Sequence, residues 1–226
     1  MIYVTGDTHG DLSRFKKGKL FWLGKKDTVI VLGDFGFLWE CNPQEIANIR
    51  WLAQRRYHIL FLDGCHENFE KLAHFPETEV FGGKARHLGG NLYYVQRGQI
   101  LTIEGKKLLC FGGGQSHDRY ERIEDENWWP QEMPTQEEMD ACDKLLEAEG
   151  NQVDYILTHD APSRLIDFAR VEPEDLNALN TYFDKLLVTV KHRKWYFGRY
   201  HRDINAAPSA RCVFLDIIPL KDEESK

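Results

Sequence analysis

The sequence predicts an α/β protein built on two mixed β-sheets. Three observations carry that prediction. Short, apolar, β-rich runs recur along the 226 residues, from Ile2–Val4 to Arg211–Ile217. In the first third, helical stretches alternate with these runs. The middle, from about residue 79 to 111, is strand after strand with glycine turns. That mixture fits two mixed sheets better than a single parallel one.

Taken in order, the expected strands are Ile2–Val4, Thr28–Leu32, His58–Leu62, Asn91–Val95, Ile100–Ile103, Leu108–Phe111, Val153–Leu157, Trp195–Phe197 and Arg211–Ile217. Gly89-Gly90, Gly98 and Gly105 mark the turns of the middle segment. One helix start is signed by Asn42 as cap, with Pro43 at the first position and Glu45 three residues after the cap. Thr135 followed by Glu138 repeats that capping box ahead of Met139–Ala148. A third helix is expected over Pro173–Val190. No repeat or low-complexity linker divides the chain, and the charged residues 221–226 read as a frayed tail.

Composition narrows the function classes. Apolar residues make up 42% and charged residues 29%, which suits a globular protein. Runs such as Val29–Leu32 and Ile59–Leu62 are far too short to cross a bilayer. The opening MIYVTGD has no basic stretch followed by an apolar one, so no signal peptide is expected. A net charge of −7 argues against a broad grip on nucleic acid or on an anionic membrane. The five cysteines, Cys41, Cys65, Cys110, Cys142 and Cys212, are an odd number with no pairing pattern. Reduced thiols in a cytoplasmic protein are the simpler expectation.

The chemistry collects where strands end. Five strand candidates run into Gly6-Asp7-Thr8-His9-Gly10, Gly33-Asp34-Phe35-Gly36, Asp63-Gly64-Cys65-His66-Glu67-Asn68, Thr158-His159-Asp160 and Gly198-Arg199-Tyr200-His201. In α/β sheets, ligand sites form outside the carboxyl ends of the strands. Those ends can bring Asp7, His9, Asp34, Cys65, His66, His159 and His201 into one crevice. Clustered Asp and His suit a divalent ion such as Mn²⁺, Fe²⁺ or Zn²⁺. Two such ions, sharing a carboxylate like Asp34, suit phosphoester hydrolysis.

The blocks GDTHG, GDFG, GCHEN, THDAP and GRYH, in that order, resemble the five blocks of the calcineurin-like metallophosphoesterases. The family pattern is D-x-H, G-D, G-N-H-[ED], H and G-H-x-H. The resemblance implies a single domain over residues 1–226 with a four-layer α/β/β/α sandwich. It implies a first metal on Asp7, His9 and His201, with Asp34 bridging. Position 65, His159 and position 199 would hold the second metal. His66 would hydrogen-bond the phosphate or protonate the leaving oxygen. The implied reaction is hydrolysis of a phosphomonoester or phosphodiester by metal-activated water, with Mn²⁺ the first expectation for the ion. The further signatures of the protein Ser/Thr phosphatases are absent, so a phosphoprotein substrate is an alternative only.

Two departures fall at the second metal. The family asparagine is Cys65 and the first histidine of the last block is Arg199. A guanidinium has donors only and cannot ligate a cation, whereas a thiolate favours softer ions. Phe37 also stands where many members have a later Asp in the second block. The expectation is therefore one firmly held ion, a weakened second site, and Arg199 clamping a phosphate oxygen. The alternative from another class is a non-catalytic module that keeps the fold for binding a protein. A cysteine-nucleophile phosphatase is disfavoured, because the C-x5-R spacing finds Lys71 rather than arginine after Cys65.

Other polar residues have plainer readings. Glu67 and Asp160 read as supports for neighbouring ligands. His58, His74, His87 and His192 lie outside the blocks and read as structural. The loop carrying His117, Arg119 and Arg122 reads as surface, with substrate contact as the second option. Trp128 and Trp129 read as anchors for that long loop.

Overall fold

A computed structural model describes residues 1–167 and 176–221 of the chain. The expected strand ends and caps settle most of its architecture. The strands of the first sheet are β1 (Ile2–Thr5), β2 (Thr28–Val31), β3 (His58–Phe61), β4 (Glu77–Val80), β5 (Gly83–Gly89), β6 (Leu92–Val95) and β13 (Ile218–Pro219). Their order is β13-β1-β2-β3-β6-β5-β4. β1, β2, β3 and β6 run parallel, and β4, β5 and β13 pair antiparallel.

The second sheet holds β7 (Gln99–Ile103), β8 (Lys106–Phe111), β9 (Tyr155–Thr158), β10 (Lys194–Phe197), β11 (Ile204–Ala207) and β12 (Ala210–Cys212). Its order is β11-β12-β10-β9-β8-β7, with β8, β9, β10 and β12 parallel. Both sheets are mixed, as the chain's strand-rich middle predicts.

Alternation along the strands assigns the layers. Ile2, Val4, Ile30, Leu32, Leu60 and Leu62 face the second sheet's Leu101, Leu108, Cys110, Tyr155 and Leu157 in one buried cluster. The opposite face of the first sheet, with Tyr3, Val29, Val31, Ile59 and Phe61, packs on helices. These are α1 (Ser13–Lys16), α2 (Gly18–Phe21), α3 (Pro43–Ala53) and α4 (Phe69–Ala73). They contribute Phe15, Leu20, Ile49, Leu52 and Leu72. The outer face of the second sheet packs on α5 (Gln136–Ala148) and α6 (Ala178–Thr189). The result is an α/β/β/α sandwich. Each buried Leu, Ile or Phe contributes about 1.5–3 kcal/mol to holding its layers together.

The caps fall where the sequence places them, with one change of partner. Asn42 accepts from the Glu45 backbone N–H at 2.9 Å. Glu45, however, accepts mainly from the Trp39 and Cys41 N–H groups, at 2.9 and 2.8 Å. Thr135 and Glu138 form the full reciprocal box, at 3.2 and 2.8 Å. The third helix begins at Ala178, capped by Asn177. The expected start at Pro173 lies outside the described residues, as do residues 222–226.

The expected strand Arg211–Ile217 is strand only at Arg211 and Cys212, and residues 213–217 cross between the sheets. β12 ends at Cys212 and β13 joins the other sheet. The reason is Asp203, whose carboxylate accepts from the N–H groups of Phe214, Leu215 and Asp216 at 2.8–3.1 Å. Those three donors are lost to any ladder, so the chain turns across. No described helix is long and apolar enough to cross a membrane.

Candidate metal centre

The parallel strands β1, β2, β3, β9 and β10 all deliver their carboxyl ends to one edge of the sandwich. Their side chains meet there in part because the backbone turns sharply after β1, β2 and β10. His9, Asp34, Arg199 and His201 have φ of 44°, 42°, 62° and 49°. Left-handed backbone is costly for residues with a Cβ, and such strain concentrates at functional sites. Two glycines make the approach possible. A Cβ on Gly33, at φ 97°, would sit 2.1 Å from His159 Nδ1. A Cβ on Gly64 would sit 2.1 Å from Asp34 Oδ1.

All seven residues expected in the crevice are there. Asp7, His9 and His201 form one group of potential ligands, His9, Asp34 and His66 a second, and Asp34, Cys65 and His159 a third. His201 Nε2 lies 3.1 Å from Asp7 Oδ2 and 2.9 Å from His9 Nε2. His9 Nε2 lies 3.8 Å from Asp34 Oδ2. On the other side of Asp34, His159 Nε2 is 3.6 Å from Oδ1 and Cys65 Sγ is 3.7 Å from Oδ2. Asp34 thus stands between the two sets. The His66 backbone N–H donates to its Oδ1 at 2.8 Å, and His66 Nδ1 lies 2.8 Å from its Oδ2.

The donor set fits divalent metal. Asp7 Oδ2 and His159 Nε2 are buried atoms that form no hydrogen bond. Buried polar atoms are rarely left so without a ligand to meet. His159 Nδ1 lies 3.0 Å from the Leu32 carbonyl and donates to it. In the neutral ring that bond leaves the lone pair on Nε2, facing Asp34, the orientation that metal-binding imidazoles require.

The electrostatics agree. Burial pushes the Asp34 carboxyl up, but the charges of His159, His66 and His9 outweigh it and hold Asp34 well below the carboxylate range. Asp7 is likewise held down, by His159 and His201 against burial. Burial keeps His9 below its ordinary value, which favours the neutral, ligating ring. Burial opposes protonation of His159, yet Asp34 and Asp7 raise it well above its ordinary value. Without a cation, a proton sits where the carboxylates ask for positive charge.

Arg199 enters the same crevice and is fastened on three sides. Nε lies 3.4 Å from Asp160 Oδ2, Nη2 donates to the Gln115 carbonyl, and Nη2 lies 3.3 Å from His117 Nε2. Its Nη1 faces Cys65 Sγ at 3.8 Å. Burial and Asp34 push the Cys65 thiol up, but His159, His66 and Arg199 together hold it below its ordinary value. Behind the ligands, Glu67 accepts from the Phe35 N–H at 2.6 Å. Asp160 accepts from the Tyr200 hydroxyl at 2.6 Å. Glu67 thus braces the backbone beside Asp34, and Asp160 holds Tyr200 and Arg199 rather than a ligand imidazole.

One feature escapes the sequence reading, and two favour its second option for the long loop. Buried Asp63 accepts from Arg97 Nε at 2.9 Å and from Tyr94 at 3.1 Å, directly before the Gly64-Cys65 turn. No local signal links residues 31 and 34 positions apart. His117, read as surface, touches Arg199. Arg122 reaches His66 Nε2 at 3.0 Å, so its loop rims the crevice. Trp129 is buried edge-on against Trp39, 5.3 Å between ring centroids, as an anchor should be.

The family model for the calcineurin-like phosphoesterases matches residues 1–207. None of the curated proteins matches the chain. Among solved structures, a protein of unknown function from Aquifex aeolicus aligns over 85% of this chain and 87% of its own. The identity is 13% and the TM-score 0.38, a likeness too loose to bear on the chemistry.

Proposed function

The chain belongs to the calcineurin-like phosphoesterase family, and we propose that it hydrolyses phosphomonoesters or phosphodiesters with a divalent metal, Mn²⁺ first among the choices. The observation that carries this reading is a pair of buried ligand atoms without a hydrogen bond, Asp7 Oδ2 beside His201 Nε2 at 3.1 Å and His159 Nε2 beside Asp34 Oδ1 at 3.6 Å. Asp7, His9, Asp34 and His201 would hold the firmly bound ion. Asp34, Cys65 and His159 would hold a second, weaker one, because the fixed charge of Arg199 faces it. A bound divalent ion supplies Lewis-acid stabilisation of phosphoryl oxygen and lowers the pKa of water.

The chain's own groups do the rest. Asp34 fixes the His66 ring through Nδ1 and leaves Nε2 toward the mouth of the crevice. His66 Nε2 is the atom that hydrogen-bonds a phosphate oxygen or delivers a proton to the leaving oxygen. Arg199 Nη1, on the cysteine side, is the donor placed to clamp a phosphoryl oxygen. The five free cysteines suit a reducing compartment, which supports a cytoplasmic setting.

The test is turnover of an aryl phosphate with Mn²⁺ by the purified protein. Asp34→Asn, which keeps the left-handed backbone acceptable, should abolish it. Unchanged turnover in that variant sinks the reading. Arg199 at the second cluster favours an alternative, a non-catalytic protein-binding member of the family. Intact metal binding with no turnover of any aryl phosphate monoester or diester selects that alternative. Hydrolysis of phosphoserine or phosphothreonine peptides alone selects the phosphoprotein phosphatase reading.

A further inference from the structure

The loop over residues 114–134 has a rigid base. The Gly114 N–H donates to the Glu132 carbonyl at 3.0 Å. Ser116 donates to the buried Glu132 carboxylate through both its N–H and its hydroxyl, at 2.8 and 2.7 Å. Arg97, itself held by Asp63, donates to the Gln131 and Glu132 carbonyls at 2.6 and 3.2 Å. This staple ties the loop to the turn that carries Cys65 and His66. Beyond it the tip stands out, with Tyr120 and Ile123 exposed.

The tip sends one side chain back. Arg122 is gripped as a fork by Asp118, Nε to Oδ1 at 2.8 Å and Nη2 to Oδ2 at 2.9 Å. Its Nη1 donates to the Asn127 carbonyl at 3.2 Å. Its Nη2 meets His66 Nε2 at 3.0 Å. Whether that last contact is a hydrogen bond depends on the ring's tautomer, but its geometry sets the guanidinium against Nε2. The contact therefore occupies the atom through which His66 would serve a substrate.

We propose that Arg122 is a substrate-binding residue that rests on His66 in the free protein and passes to a non-bridging oxygen of the incoming phosphoryl group. The inference rests on the phosphoesterase reading. A phosphoryl oxygen at the mouth competes for the Nη2 donor and is the better acceptor, because it is charged. Moving the guanidinium to it opens His66 Nε2 to solvent, which supplies the proton that the ring then donates. Asp118 keeps the fork aimed, so the loop presents a preoriented cation rather than a free arginine. Arg199 meets the group from the cysteine side and Arg122 from the histidine side.

The experiment compares the metal-loaded protein with Arg122→Ala, Arg122→Lys and Asp118→Asn. Four quantities are read: KM and kcat for an aryl phosphate, inhibition by inorganic phosphate, and metal content. Arg122→Ala should raise KM and weaken phosphate inhibition by about tenfold or more, the value of one charge-assisted hydrogen bond, at unchanged metal content. Arg122→Lys should recover part of the loss. Asp118→Asn should shift both quantities the same way by less. Unchanged KM and phosphate inhibition in an active Arg122→Ala protein overturn this inference and leave the phosphoesterase reading standing. So does a loss confined to metal content or folding. A wild-type protein that neither turns over nor responds to inorganic phosphate overturns both.

Discussion

Gly64 carries more of the site than its size suggests. Any side chain there would press on Asp34 Oδ1 and would also lie 2.8 Å from His159 Nε2. Gly64→Ala should therefore fold, by circular dichroism, yet lose metal by elemental analysis. Retention of wild-type metal content would show that the carboxylate has room to move. Titration of the ligands gives a second check. In metal-free protein, Asp7 and Asp34 are depressed from 3.8, so their stability is lost as pH falls below that value. His159 is raised from 6.5, so its stability is complete below 6.5 and is lost as pH rises toward its folded value. The chelated protein should have its highest Tm between those limits, and a divalent metal should reverse the alkaline loss. A chelated protein that gains Tm steadily from pH 6 to 9 would contradict these assignments.

At the level of elements, what the sequence shows and hides follows from how local each cause is. Asn42, Thr135 and the strand-end glycines act on neighbours within a few residues, so their helices and turns are legible. Thr135→Ala should cost about 0.5–2 kcal/mol in chemical denaturation, the usual worth of such a cap; no measurable cost would mean that packing alone starts α5. The seven crevice residues are legible for a similar reason, since the five strands that carry them run into the same small-polar pattern. The break after Cys212 is not, because Asp203 causes it from across a hairpin. The Asp63–Arg97 pair is silent too, being set by the pairing of β3 with β6, and the Arg122–His66 contact depends on the tertiary placement of a long loop. A surface reading of that loop fits its tip, where Tyr120 is exposed, and misses His117 and Arg122, which fold back onto the crevice.

Across the whole molecule, two sheets each supply part of one crevice. β1, β2 and β3 bring Asp7, Asp34 and Cys65, while β9 and β10 bring His159 and the Arg199–His201 turn. The bond from His159 to the Leu32 carbonyl joins the sheets at that edge. A cation held there links the sheets again, so it stabilises the folded state by mass action. The most direct measurement is metal content per chain after loading with Mn²⁺ and exhaustive dialysis. One retained equivalent in the wild-type protein, none in Asp7→Asn, and two in the double variant Cys65→Asn/Arg199→His are the values this structure predicts. No retained metal in the wild type, or as much in Asp7→Asn as in the wild type, would contradict it.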